Sequence, residues 1–286
     1  MPDQNRFAFG ENWASFLSSL DRVAVDEARR SLQRLLQTDS LSGKCFLDVG
    51  SGSGLFSLAA VQMGACVTSI DLDPNSVRCT QDLRDRLRDR LGDFLASSDV
   101  DLSDDVSERW QVQSTSVLHQ DAMRQLGTFD VVYSWGVLHH TGDMDRAISM
   151  AAERVAPGGQ FAIAIYNDQG GGSRRWLAIK RGYHRLPVWL RPIYVGLVAS
   201  VYELKFALAR LASGRNPLPF QDWKLKKRDR GMSAWHDWVD WVGGLPFEVA
   251  KPESVILPLV QEGFRLENLS TVGSGWGCNE FVFRLR

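Results

Sequence analysis

The 286-residue sequence has no run of about eighteen consecutive apolar residues, the length a membrane-spanning helix needs. Its start, Met1-Pro2-Asp3-Gln4-Asn5-Arg6, lacks the apolar stretch of a secretory leader. Both absences point to a cytoplasmic protein with no transmembrane segment. Cysteine is sparse as well: Cys45, Cys66, Cys79 and Cys278 form no C-x-x-C pair, which argues for thiols packed in a core and against metal ligands or disulfides. No metal site is expected. Neither sign of charge is in surplus, since 33 Lys and Arg face 34 Asp and Glu, and nothing global invites nucleic acid or an anionic membrane.

What is present is an alternation of apolar strand-like runs and helical patterns. Before residue 40, Leu17, Leu20, Ala24, Ala28, Leu32 and Leu35 recur at helical spacing, with Trp13 just ahead as a candidate cover residue. Phe46 to Val49 reads as a buried strand, followed by a helix after Gly54, a second strand at Cys66 to Ile70, and a helix from Pro74 with Leu83, Leu87 and Leu91 on one face. The acidic, serine-rich stretch from Ala96 to Glu108 reads as a loop. Further strands are expected at Gln111 to Leu118, Phe129 to Ser134 and Phe161 to Tyr166, the last entered from a helix through Pro157-Gly158-Gly159. This order predicts an α/β fold with a doubly wound, Rossmann-like, mostly parallel sheet, its ligands at the carboxyl ends of the strands.

Beyond Tyr166 the pattern changes. About 85 residues intervene before two closing strands at Phe264 to Val272 and Cys278 to Leu285, giving seven in all. They begin with Gly170-Gly171-Gly172, a candidate hinge, and carry a helix with Leu197, Val201, Leu204, Leu208 and Leu211 on one stripe. Seven of the ten tryptophans lie beyond residue 170, which marks the insertion as a candidate substrate pocket or lid. The stretch from Pro192 to Ala199 reads as a buried lid helix, with contact to a lipid-like acceptor or a membrane surface as the alternative. Basic runs at Arg174 to Arg185 and Lys224 to Arg230 read as solvated faces. The implied organisation is a helical cover over 1–40, a cofactor-binding core over 41–166, a helical substrate-binding insertion over 167–252, and closing strands over 253–286.

Chemistry enters at Asp48-Val49-Gly50-Ser51-Gly52-Ser53-Gly54, a strand that ends in a glycine turn and opens a helix. Asp71 follows the next strand at 21 residues beyond Gly50, where an acidic side chain receives the ribose hydroxyls of a bound nucleoside. A dinucleotide fingerprint would need glycine at position 55, which is Leu55, so pyrophosphate binding is disfavoured. The arrangement resembles motif I of class I S-adenosylmethionine (SAM) dependent methyltransferases. That resemblance implies a cofactor site in which Asp48, Gly50, Gly52 and Gly54 line SAM and Asp71 takes its ribose. It also places Leu72 against the adenine, Asp121 at the adenine amino group, and Ser134 at the end of the fourth strand. A helix cap is the alternative role for Asp121.

The sequence Ser134-Trp135-Gly136-Val137-Leu138-His139-His140 resembles ubiquinone-pathway and related small-molecule methyltransferases, which place a histidine after a similar Val-Leu. His140 aligns with it, and an imidazole with an ordinary pKa of about 6.5 suits proton removal from a phenol or activated hydroxyl. Base catalysis and a backbone-bracing role are both open for His140. Methylation of an exocyclic base nitrogen is disfavoured, because Ser134-Trp135-Gly136-Val137 replaces the Asn/Asp-Pro-Pro-aromatic signature of those enzymes. In the insertion, Trp235, His236 and Asp237 are candidate acceptor ligands, with Trp238 and Trp241 three apart as an apolar wall or as plain core. Tyr166 and Asn167, with Asn279, are expected at the same cleft. The expected activity is methyl transfer to a small-molecule acceptor, first a hydroxyl oxygen and second a small thiol. A SAM-binding module without catalysis and a nicotinamide dehydrogenase are the rivals. The oligomeric state is not readable.

Overall fold

The apolar runs form central strands buried nearly throughout, as a sheet covered by helices on both faces requires. The structure, a computed structural model, describes residues 22–89, 106–214, 216–218 and 234–286. Trp13, residues 96–105, the basic run from Lys224 to Arg230, and Gly231 to Ser233 lie outside the described residues. The described residues divide into two compact units, one formed by Gly170–Pro246 and the other by the described part of Ala8–Gln169 with Phe247–Arg286.

The larger unit is a seven-stranded sheet. In chain order its elements are α1 (Arg22–Leu36), β1 (Cys45–Val49), α2 (Leu55–Gln62), β2 (Cys66–Asp71), α3 (Pro74–Asp89) and α4 (Val106–Arg109). Then come β3 (Trp110–Ser114), α5 (Gln120–Gln125), β4 (Phe129–Trp135), a 3₁₀ turn (Leu138–His140), α6 (Met144–Ala152) and β5 (Val155–Tyr166). Strand order is β3-β2-β1-β4-β5-β7-β6, where β6 is Phe264–Ser270 and β7 is Cys278–Leu285. The first five strands run parallel, and β7 is antiparallel to both β5 and β6. The sheet is doubly wound, as the alternation of elements requires.

Each face has its own core. On one, Phe46, Val67, Tyr133, Ala162 and Val282 meet α1 and α2. On the other, Leu47, Ile70, Val132, Phe161 and Phe281 meet α6 and the helix α10 (Pro252–Gln261). Helix α1 is amphipathic: Val25, Ala28, Leu32 and Leu36 are buried, while Arg29 and Arg34 pair with Asp26 and Glu27 outside. Helix α2 is apolar all round and buried from Ser57 to Gln62, so it lies in the interior as an all-round apolar helix must.

Several expectations need correction. Strand β3 stops at Ser114, because Ser116 turns the chain: its hydroxyl accepts the Leu118 N–H at 3.1 Å. Strand β5 begins at Val155 rather than Phe161. Phe129 pairs with Val155 and Val131 with Gln160, so Pro157-Gly158-Gly159 is a bulge within the strand, not a helix-to-strand turn. Cys45 and Cys66 are exposed, since they face each other at the outer ends of β1 and β2; only Cys79 is buried.

The smaller unit holds α7 (Gly171–Arg185), a 3₁₀ turn (Val188–Leu190), α8 (Arg191–Ala212) and α9 (Ala234–Gly243). Its interior is aromatic: Trp176 stacks on Tyr202 at 4.9 Å and meets Trp241 at 5.8 Å. Lys180 is fully buried, with Nζ donating to the Trp241 carbonyl at 2.5 Å, which removes it from the expected solvated basic face. The lid helix expected to be buried is α8, and among its residues only Val195 is buried.

Candidate functional site

The glycine loop is built as the sequence demands. Val49 ends β1, and the N–H groups of Gly50 and Ser51 both donate to the Ile70 carbonyl, at 2.8 and 3.1 Å, folding the loop over the end of β2. Gly50 has φ of 81°. Gly54, at 79°, is the N-cap of α2 and abuts Thr80, where an added Cβ would lie 3.0 Å from Cγ2. Asp71 is fixed beside this loop: Gly52 N–H donates to Oδ2 at 3.0 Å and Asp73 N–H to Oδ1 at 2.8 Å. Leu72, next along the chain, is exposed.

Under the loop lies a buried polar ladder. Ser57 donates to Asp48 Oδ2 at 2.5 Å and touches Ser69 Oγ at 2.7 Å, which in turn accepts from Trp110 Nε1 at 2.7 Å. Burial pushes the Asp48 carboxyl up to about 7, against the lowering bond from Ser57 and with Asp71 raising it further. Asp48 therefore supports the loop from within and does not line its open side. Ser134 is likewise buried, donating to the Val49 carbonyl at 2.9 Å, and so ties β4 to the strand that launches the loop. Both were expected among the cofactor contacts, and both are occupied in holding the scaffold. Tyr133 packs on Phe46 and Phe56, and its buried hydroxyl has no hydrogen-bond partner among the described residues.

The second piece is the turn after β4. Gly50 and Val137 approach so closely that a Cβ on Gly50 would sit 2.5 Å from Val137 Cγ2. Val137 accepts the His140 N–H at 2.8 Å, closing the 3₁₀ turn. His139 is fully buried, and its Nδ1 accepts the Tyr166 N–H at 3.3 Å, a role that needs the tautomer with hydrogen on Nε2. His140 is 9% exposed. The three rings form one cluster, His139 to His140 at 4.5 Å, His139 to Tyr166 at 3.9 Å, and His140 edge-on to Tyr166 at 5.3 Å. His140 and Tyr166 are thus brought together, with His139 as their buried support.

Asp121 lies in the first turn of α5 with an exposed side chain, and His119 holds the N-cap position, so the cap role is not taken by Asp121. Asn167 and Asn279, expected at a cleft, are spent on each other and on a loop. Asn279 Nδ2 donates to Asn167 Oδ1 at 3.1 Å, and Asn167 Nδ2 donates to the Gly273 carbonyl at 2.8 Å. Trp235, His236 and Asp237 lie on α9 of the smaller unit; Trp235 is exposed, and the side chains of the other two lie outside the described residues. Trp238 and Trp241 take the core role in that unit. Trp238 packs near Tyr202, and its Nε1 donates to Glu203 at 3.2 Å.

Sequence reading missed Glu248. Its carboxylate accepts the N–H groups of Gly142 at 3.1 Å and Met144 at 3.3 Å, capping the start of α6, while its own N–H donates to the His139 carbonyl at 3.0 Å. Burial raises its pKa, opposed by those two backbone bonds. It also missed the pair in which Trp135 Nε1 donates to Glu280 at 2.8 Å. Both contacts join residues more than a hundred positions apart, and no local pattern encodes them. Among the described residues no group of His, Cys, Asp and Glu is arranged to hold a metal ion.

A methyltransferase domain family matches residues 20–231. The ubiquinone biosynthesis O-methyltransferase of Xanthomonas oryzae pv. oryzae (strain PXO99A) is 34% identical over 127 residues, 44% of this chain and 45% of that protein. The Coxiella burnetii (strain Dugway 5J108-111) protein of the same name is 27% identical over 136 residues, 48% of this chain and 49% of its own length. The chain thus spans about half the length of the curated relatives it matches. The solved structure of PKMT2 from Rickettsia typhi in complex with AdoHcy superposes with a TM-score of 0.53 at 11% identity, covering 93% of this chain and 55% of that one, a likeness of fold.

Proposed function

The chain belongs to the methyltransferase domain family and carries its class I, SAM-dependent form, and from that premise we propose that it methylates a hydroxyl oxygen of a small-molecule acceptor. The observation that carries this reading is the contact between Gly50 and Val137, which joins the cofactor loop to the turn bearing His140. SAM, when bound, supplies an electrophilic methyl group. The residues fit it: the carboxylate of Asp71, held beside the glycine loop by the N–H groups of Gly52 and Asp73, is an acceptor suited to ribose hydroxyls. Gly50, Gly52 and Gly54 let the backbone approach the amino-acid end, Leu72 offers an apolar side to the adenine, and Asp121 receives the adenine amino group. His140 would take the proton from the acceptor's hydroxyl, and Tyr166 would border that hydroxyl. Imidazole is suited to that step near neutral pH.

In this reading 41–166 with 253–286 hold the cofactor, 167–252 selects the acceptor through Trp235, His236 and Asp237, and 1–40 covers the site. Cytoplasmic placement belongs to the same proposal, and the four cysteines are free thiols. The test is calorimetric titration with SAM followed by a screen of phenols and small thiols for release of S-adenosylhomocysteine. Turnover with phenols that depends on His140 is expected. Absence of any heat with SAM refutes the cofactor assignment, and turnover with thiols alone refutes the hydroxyl acceptor.

A further inference from the structure

Helix α8 turns an apolar face outward. Ile193, Leu197, Val201, Leu204, Leu208 and Leu211 are each more than half exposed, and at about 100° per residue they fall within an arc of about 80°. The opposite arc is the packed one: Val195 is buried, Tyr202 stacks on Trp176, and Glu203 accepts from Trp238. The outward stripe is therefore no core face, since the core face is already in use. A solvated arc of a helix is ordinarily polar. This one presents six aliphatic side chains, with Trp189 at 72% exposure just ahead of them.

We propose that α8 seats the smaller unit on an anionic lipid bilayer, lying in the plane of the interface. Charge chooses this occupant. Gly170–Pro246 contains fourteen Lys and Arg against five Asp and Glu, a surplus of nine in a chain whose net charge is −1. On α8 itself the exposed Lys205 flanks the stripe. An anionic surface attracts such a unit, whereas a second copy presenting the same surplus is repelled. Exposed aliphatic groups with an aromatic beside them, on a unit with a surplus of positive charge, are what an interfacial helix requires.

Val188–Ala212 is 25 residues long and contains an 18-residue window of mean hydropathy 1.3, long and apolar enough to cross a membrane by length and composition, a departure from the sequence expectation. Spanning would carry Glu203 and Lys205 into hydrocarbon and separate Tyr202 from Trp176, so the helix lies on the bilayer and does not cross it. This surface does not rest on the methyl-transfer reading.

The test is co-sedimentation of the full chain with vesicles of phosphatidylcholine, with and without phosphatidylglycerol. The wild type binds the anionic vesicles, and the triple variant Leu197→Gln, Leu204→Gln, Leu208→Gln binds at least about tenfold more weakly, with unchanged far-UV circular dichroism. A second variant, Lys205→Gln, leaves the apolar stripe intact and also loses affinity, in a manner that added salt mimics. No binding to the anionic vesicles, or equal binding by wild type and both variants, overturns the proposal. So does a dimer in light scattering that the leucine variant breaks without any vesicle binding, which assigns the stripe to a second copy. Bound protein that alkaline carbonate fails to release assigns it to a span instead.

Discussion

Gly50→Ala tests whether the cofactor loop and the turn that carries His140 are one mechanical piece. The new Cβ would lie 2.5 Å from Val137 Cγ2 and 2.9 Å from its Cβ. Carbon atoms settle at about 3.5–4.0 Å, so loop or turn must shift by about 1 Å. Overpacking of this kind costs about 1–3 kcal/mol. Gly50 also holds φ at 81°, which costs an L residue about 1–2 kcal/mol more, and the stiffer unfolded chain returns about 0.4–1 kcal/mol. The net expectation is a loss of about 1–5 kcal/mol, with weaker SAM binding and a lower kcat, because Val137 accepts the His140 N–H. Urea unfolding and SAM calorimetry on Gly50→Ala, Val137→Ala and the double variant measure it. The double variant should recover the part of the steric cost that comes from the Val137 methyl groups, while the residual 2.9 Å approach to the Cβ and the backbone part remain, a coupling of about 1 kcal/mol in the cycle. A coupling indistinguishable from zero would refute the contact as the link between loop and turn.

In the methyl-transfer reading Asp71→Ala removes an acceptor for two ribose hydroxyls and is expected to weaken SAM binding by about 2 to 3 kcal/mol; unchanged affinity in the folded variant, by calorimetry, would sink the ribose assignment. His140→Gln is expected to keep SAM affinity within about threefold and to lower kcat by about 10² or more on a hydroxyl acceptor; a fall of less than about tenfold across pH 6 to 9 would make His140 structural and favour a thiol. Asp48 is raised from 3.8 to about 7 in the folded state, so the folded form favours its proton. Its contribution is fully present below the unfolded value and is lost as pH rises through about 7. Asp48→Asn cannot ionise, so its stability relative to wild type should improve by about 2–3 kcal/mol between pH 5 and pH 8. Parallel urea curves for the two proteins at both pH values would show that Asp48 is charged in the fold.

What the sequence revealed was local. The run from Phe46 to Gly54 carries its own strand, turn and helix start, and Asp71 follows a strand whose length the apolar pattern sets. The boundaries of β7 were legible from Cys278 to Leu285 for the same reason. Periodicity placed Leu197, Val201, Leu204, Leu208 and Leu211 on one stripe but could not say which way it faced. That direction is set by Trp176 and Trp238 on other helices, which claim the opposite side of α8. Cys45 and Cys66 read as core because strand interiors are buried, yet they occupy strand ends, and register decides the difference. Asn167 with Asn279, 112 positions apart, and Glu248 with Gly142, 106 apart, are pairings that only the closed fold creates.

The way the chain leaves and re-enters the larger unit bears on how acceptor choice and chemistry are divided. It leaves at Tyr166, Asn167 and Asp168 and returns at Phe247 to Ala250. Asn167 bridges Ala250 in parallel register; the Ala250 N–H donates to the Tyr166 carbonyl at 2.9 Å, and the Asp168 N–H donates to the Ala250 carbonyl at 3.1 Å. On the return segment Phe247 meets the Tyr166 ring at 5.6 Å and Glu248 holds the His139 carbonyl. Glu248 also places a carboxylate at the positive end of α6, where the helix dipole favours it. The two ends of the intervening segment are therefore clamped to each other and to the His139-His140-Tyr166 cluster. Substitutions between Gly170 and Pro246 leave the clamp's hydrogen bonds in place, because these are made by residues outside that range. In the methyl-transfer reading, the proton-accepting turn is fixed by the sheet and by the returning strand segment, and only the recognition residues are free to vary.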